Sequence, residues 1–140
     1  MRLLYLGDVV GRAGRTAIKG RLPDLRASLD VDFCIVNGEN ATSGMGISLD
    51  HAEELLKAGA DVLTLGDHAF DQRDMLAGIE RNPRIIRPLN YSKAAPGAGA
   101  RIFDAPGGRK VLVAQVLGQV FMKRPFDDPF SAIDGVLKQF

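Results

Sequence analysis

An α/β fold with mostly parallel strands is predicted by three features of this chain. Short, mainly apolar runs, Leu3-Leu4-Tyr5-Leu6, Phe33-Cys34-Ile35-Val36 and Asp61-Val62-Leu63-Thr64-Leu65, have the length and continuity of parallel strands buried on both faces. Segments with helical spacing lie between them. Each run also stops at a polar cluster: Gly7-Asp8-Val9-Val10-Gly11, Asn37-Gly38-Glu39-Asn40 and Gly66-Asp67-His68. The carboxyl ends of parallel strands open into one crevice, so carboxylate, amide and imidazole groups are expected to face a common space there.

Taken in order, the first strand is followed by Gly11 and Gly14, which permit a tight turn, and then by Arg15 to Leu29. Apolar residues at Ala17, Ile18, Leu22, Leu25 and Leu29 give that stretch one helical face. Pro23 falls inside it and predicts a kink or restart, because proline lacks the amide that the helix interior uses. Ser48 is the expected N-cap of a second helix, with acids in the first turns and Gly59 at the stop. A third helix is expected over Asp71 to Ile79. Strands alternating with helices favour a parallel sheet with right-handed crossovers.

From Asn82 the texture changes. Ile85-Ile86 reads as a short strand, and Ala94 to Gly99 reads as a loop. Ala100 to Phe103 pairs with Lys110 to Val116 in a hairpin that turns at Pro106-Gly107-Gly108. The end of the chain, Ser131 to Phe140, reads as a capped helix with Pro129 near its first turn.

A chain of 140 residues is long enough for one domain with a true core. Eighteen basic and seventeen acidic side chains give a formal charge of +1 with no long block of either sign. Composition therefore offers no footprint for RNA or a membrane surface, and an anionic ligand must be held by local groups. The single cysteine, Cys34, excludes an internal disulfide and sits in an apolar run, as a buried hydrophobe of a cytoplasmic protein does. The stretch Val111 to Phe121 is too short and too polar to span a bilayer.

The polar clusters have the chemistry of a metal and phosphate site. Asp8 and Asp67 offer carboxylates, Glu39 can bridge two cations through its two oxygens, and Asn40 offers an amide oxygen. Oxygen-rich sets with a neighbouring imidazole suit Mn or Fe, and Mg at lower affinity. Two such ions can polarise a phosphoryl group and generate hydroxide from water. His68 directly follows one of the ligands, where its ring can protonate a leaving oxygen. Arg12 and Arg15 follow the first turn and are candidates for phosphate contact. Ser43, Gly44 and Gly46 form a flexible stretch that would border a substrate.

The segments Gly-Asp-Val-Val-Gly-Arg-x-Gly-Arg, Asn-Gly-Glu-Asn-Ala, Gly-Ala-Asp-x-x-Thr-x-Gly-x-His, Arg-Pro-x-Asn-Tyr and Asp-Asp-Pro-Phe occur in this order between Gly7 and Phe130. In them the chain resembles the bacterial YmdB-like metallophosphoesterases. That resemblance implies a calcineurin-like phosphoesterase fold, two divalent metal ions, and hydrolysis of cyclic nucleotide phosphodiesters, including 2',3'-cyclic ones. It also implies a cytoplasmic homo-oligomer. Carried over by position, Asp8 binds the first metal, Glu39 bridges both, Asn40 binds the first, Asp67 binds the second and His68 donates a proton.

Two departures from the family pattern stand out. Asp67 replaces the usual asparagine, which keeps a ligating oxygen, adds negative charge and removes an amide donor. The pattern also continues beyond this length and supplies three further histidine ligands, whereas this chain has only His51 and His68. His51 falls in a helix and is expected at the surface. Residues 1–140 thus read as a single domain incomplete at its carboxyl end, with weak metal retention, little turnover alone and a tendency to self-associate. A clipped enzyme and a short natural product fit these residues equally. The alternative from another class is a non-catalytic α/β module that binds a nucleotide or a partner in the same crevice, although Gly7, Gly11 and Gly14 lack dinucleotide-fingerprint spacing.

Overall fold

A computed structural model describes residues 1–139. Four strands, β1 (Leu3–Leu6), β2 (Phe33–Asn37), β3 (Val62–Thr64) and β4 (Ile85–Ile86), form one sheet in the order β1-β2-β3-β4, parallel at every pair. The connections run through α1 (Gly11–Ser28), α2 (Leu49–Lys57), and α3 (Arg73–Gly78), which ends in a single 3-10 turn, Ile79–Arg81. Strands β5 (Ala100–Ala105) and β6 (Arg109–Ala114) then make the antiparallel hairpin, and α4 (Pro129–Leu137) follows. The last residue of the expected terminal helix, Phe140, lies outside the described residues.

Alternation along the strands sorts the apolar side chains into two layers. Cys34, Val36, Leu63, Leu65 and Ile85 face the helices and pack with Leu22 of α1, Ala52 and Leu55 of α2, and Met75 of α3. Phe33, Val62 and Ile86 face the other way and are covered by Val111 and Val113 of the hairpin. Cys34 is fully buried, and burial pushes its thiol up to about 11. Among the described residues no helix is long and apolar enough to cross a membrane.

Strand β1 departs from the expectation of burial on both faces. Leu4 and Leu6 pack against the helix-side core, yet Leu3 and Tyr5 are 51% and 58% exposed. The reason is topological: β1 is an edge strand, and the hairpin's apolar residues pack on β2, β3 and β4.

Helix α1 begins at Gly11, four residues before the expected Arg15 start. The Gly11 amide donates to the Asn40 carbonyl at 2.9 Å and the Gly14 amide to the Val10 carbonyl at 3.0 Å, so the expected turn is already the first helical turn. A Cβ on Gly14 would stand 2.9 Å from Val9 Cγ1, so glycine lets the helix approach the strand end closely. Helix α1 also continues through Pro23 as one element. Packing of Ile18 and fully buried Leu22 into the core on the preceding turn holds it there despite the lost amide. Ser48 caps α2 as expected, its hydroxyl accepting from the His51 amide.

Candidate active site at the strand ends

Backbone hydrogen bonds tie the three polar clusters together. The Val9 amide donates to the Asn37 carbonyl at 3.1 Å, and the Gly38 amide donates to the Thr64 carbonyl at 3.0 Å. These bonds bring the first loop to the second and the second to the end of β3. Asp8 sits in the left-handed region at φ 48°, a conformation costly for a non-glycine residue and often found at functional sites. Its Oδ1 accepts from Asn40 Nδ2 at 2.7 Å.

Glu39 forms the second half of the site. Its carboxylate lies so close beneath Gly66 that a Cβ there would stand 1.7 Å from Oε2. Asn37 Nδ2 donates to Glu39 Oε1 at 3.4 Å, and the Asp67 carboxyl stands beside the Glu39 carboxyl. Burial raises the Glu39 pKa, and the contact with Asp67 raises it further. Like charges side by side disfavour one another, so a cation between the two carboxyls is favoured there. Nearby, Asn37 Oδ1 and Thr64 Oγ1 are buried without hydrogen-bond partners among the described residues.

His68 lies on the open side of this pair. Its Nδ1 is 2.6 Å from Asp71 Oδ2, and its Nε2 is 3.9 Å from Asp67 Oδ2. The hydrogen bond with Asp71 is the main cause of an upward shift in the His68 pKa, opposed by partial burial and reinforced by Asp67. Asp71 fixes Nδ1 as the donor and leaves Nε2 facing the crevice.

The five residues singled out in the sequence thus form two adjacent sets, Asp8 with Asn40, and Glu39 with Asp67 and His68. Glu39 and Asn40 join the sets as chain neighbours. Among the described residues no three His, Cys, Asp or Glu side chains converge to hold a metal on their own. The oxygen donors at Glu39 and Asp67 nonetheless fit a hard divalent cation, which would relieve the repulsion between the two carboxyls.

Other expected roles change. His51 is not a free surface residue: it is half-buried, with Nδ1 2.6 Å from Thr42 Oγ1, which itself accepts from the Ser48 amide. Arg15 is committed to structure, donating to the Ala41 carbonyl and lying 3.7 Å from Glu54, while Arg12 is exposed on α1. The Ser43 to Gly46 stretch is pinned rather than loose. The Gly46 amide donates to the Glu39 carbonyl at 2.6 Å, and the Thr42 amide to the Gly46 carbonyl at 2.8 Å. Gly46, at φ 74°, is required where a Cβ would meet the His68 carbonyl at 2.9 Å.

Sequence reasoning missed Asp71, Lys123 and Arg124. Together with Met45, Asp67, His68 and Phe126 they line a cleft of about 350 Å³. Asp71 stands three residues after His68, a spacing that could have drawn attention. Lys123 and Arg124 arrive from a segment remote in sequence, with no local signal.

Comparison with known proteins identifies the family and the fold. The model of the YmdB-like protein family matches residues 4–140. A 2',3'-cyclic-nucleotide 2'-phosphodiesterase of Bacillus subtilis is 35% identical over 139 residues, covering 99% of this chain and 52% of that protein. A crystal structure of a hypothetical protein from Thermus thermophilus superposes with a TM-score of 0.92 at 39% identity, over 100% of this chain and 54% of the other. A crystal structure of a phosphatase from Mycoplasma pneumoniae gives a TM-score of 0.89 at 33% identity, over 98% and 50%. The chain spans about half the length of the relatives it matches, and over that half it has the calcineurin-like fold that its motifs imply.

Proposed function

This chain belongs to the YmdB-like family, and from that premise we propose that it forms a metal-dependent phosphodiesterase site acting on cyclic nucleotide phosphodiesters, 2',3'-cyclic ones among them. The observation that carries the reading is the Glu39–Asp67 carboxyl contact beneath Gly66, with His68 beside it at the same strand ends. Glu39 and Asp67 would hold one divalent ion, Fe or Mn, and Asp8 with Asn40 would offer oxygens to a second. Such ions supply charge for the phosphoryl oxygens and lower the pKa of water.

The chain's own groups do the rest. Asp71 holds Nδ1, so a protonated His68 presents its Nε2 proton to the crevice. When a water oxygen bonds to phosphorus and the ester P–O bond breaks, that proton passes to the departing ribose oxygen. The products are a phosphomonoester and a free hydroxyl. In this reading the site acts in the cytoplasm as part of a homo-oligomer.

A single-turnover reaction tests this, with the chain in excess over 2',3'-cyclic AMP, Mn²⁺ added, and phosphorus NMR as the readout. Opening of the cyclic ester that needs Mn²⁺ and stops in His68→Ala is expected. Nucleotide binding indifferent to Mn²⁺, with the ester intact, would replace the hydrolase by a non-catalytic nucleotide-binding module.

A further inference from the structure

The segment between β6 and α4 carries two cations to the mouth of the His68 cleft, and its attachment is unusually complete for a loop. Asn90, buried to 1% exposure, holds both of its ends. Its Nδ2 donates to the Leu117 and Asp127 carbonyls at 2.8 Å each, and its Oδ1 accepts from the Leu117 amide at 2.9 Å. Its backbone carbonyl accepts from the Asp127 amide at 3.0 Å. Gln119 Nε2 braces the loop internally by donating to the Phe126 carbonyl at 2.9 Å.

Aromatic packing then sets the loop against the site. The Phe126 ring lies 5.1 Å from Tyr91, whose other neighbour Phe70 is 5.5 Å away and edge-on. The Tyr91 hydroxyl donates to the Asp67 carbonyl at 3.2 Å, and the Arg124 guanidinium lies beside that hydroxyl. Lys123 and Arg124 are exposed and line the same cleft as Asp67, His68 and Asp71. Among the described residues neither forms an ion pair.

We propose that residues 117–127 form a preorganised cationic arm whose Lys123 and Arg124 bind the phosphate group of a nucleotide in the His68 cleft. The inference deepens the phosphodiesterase reading by naming how the anionic substrate is held. Where no cation covers them the carboxylates on one wall repel phosphate, and a positive wall opposite offsets that repulsion. A guanidinium offers paired donors matched to phosphate oxygens, and an ammonium adds a point charge. Fixing both on a braced loop reduces the ordering cost of binding. The cleft also suits a nucleotide, because Met45 and Phe126 give it apolar surface beside the charged groups.

The test uses adenosine 3'-monophosphate titrated into the intact chain in chelator, with adenosine as control and amide NMR shifts as readout. The arm binds the monophosphate in preference to adenosine, and shifts appear at Met45, His68 and Phe126. The double substitution Lys123→Gln with Arg124→Gln weakens binding at least about tenfold and removes most of its salt dependence. Arg124→Lys keeps part of the affinity, and Gln119→Ala weakens it with both cations still present. Equal affinity in the double variant, or equal binding of adenosine, would overturn the proposal. Mn²⁺ uptake through Glu39 is measured separately: its loss with nucleotide binding intact would remove the hydrolase reading and leave the arm standing.

Discussion

Asp71 Oδ2 lies 2.6 Å from His68 Nδ1, and this contact decides which ring nitrogen faces the crevice. Asp71→Asn should release the tautomer, which nitrogen-15 shifts of the imidazole report directly. A mixture of tautomers is expected in place of one. Turnover should fall by roughly 10–100-fold, on the scale known for outer hydrogen-bond partners of metal-ligating histidines. An unchanged tautomer would show that Asp71 does not set it.

Gly66 is the clearance on which the Glu39 position depends. Gly66→Ala puts a Cβ 1.7 Å from Oε2, so the carboxylate must leave its place. The substitution should cost about 1–3 kcal/mol of stability as an overpacked site. It should also abolish Mn²⁺ binding, measured by calorimetry. Retained metal affinity would mean that Glu39 is not a ligand.

Asp32 links acid stability to the start of the sheet. Its carboxylate accepts from the Arg2 amide at 2.6 Å and pairs with Arg109 at 3.2 Å, and these contacts hold its pKa below the ordinary 3.8. A depressed folded-state pKa gives stabilisation that is present above the unfolded value and is lost as pH falls through the folded one. Asp32→Asn should lower the urea midpoint at neutral pH and flatten its decline on acidification. Parallel curves for the two proteins would contradict this.

Leu3 and Tyr5 expose apolar surface on an edge strand, an arrangement that invites association. Sedimentation of the chain should show concentration-dependent self-association. Leu3→Lys or Tyr5→Lys should shift it toward monomer without unfolding. A monomeric wild type at high concentration would contradict the expectation.

Much of the fold was legible because local signals agreed. The apolar runs at Leu3, Phe33 and Val62, the Ser48 cap and the Pro106-Gly107-Gly108 turn each carry their own physical reason to form. The exposure of Leu3 and Tyr5 was hidden, since the same continuous apolar run serves a central or an edge strand. The early start of α1 was hidden because it depends on the Asn40 carbonyl, a contact across the fold. At the site, the strand-end positions of Asp8, Glu39, Asn40, Asp67 and His68 followed from pattern. Their division into two sets did not, because it depends on side-chain directions. Lys123 and Arg124 could not be foreseen, because Asn90 and Tyr91 bring them to the cleft from more than fifty residues away from His68.

The most direct test of the central claim is anomalous scattering from crystals of the chain soaked in MnCl₂. A manganese peak between the Glu39 and Asp67 carboxylates, absent in Glu39→Gln, is the expected result. Carboxyls still side by side, with no manganese between them at saturating concentration, would contradict it.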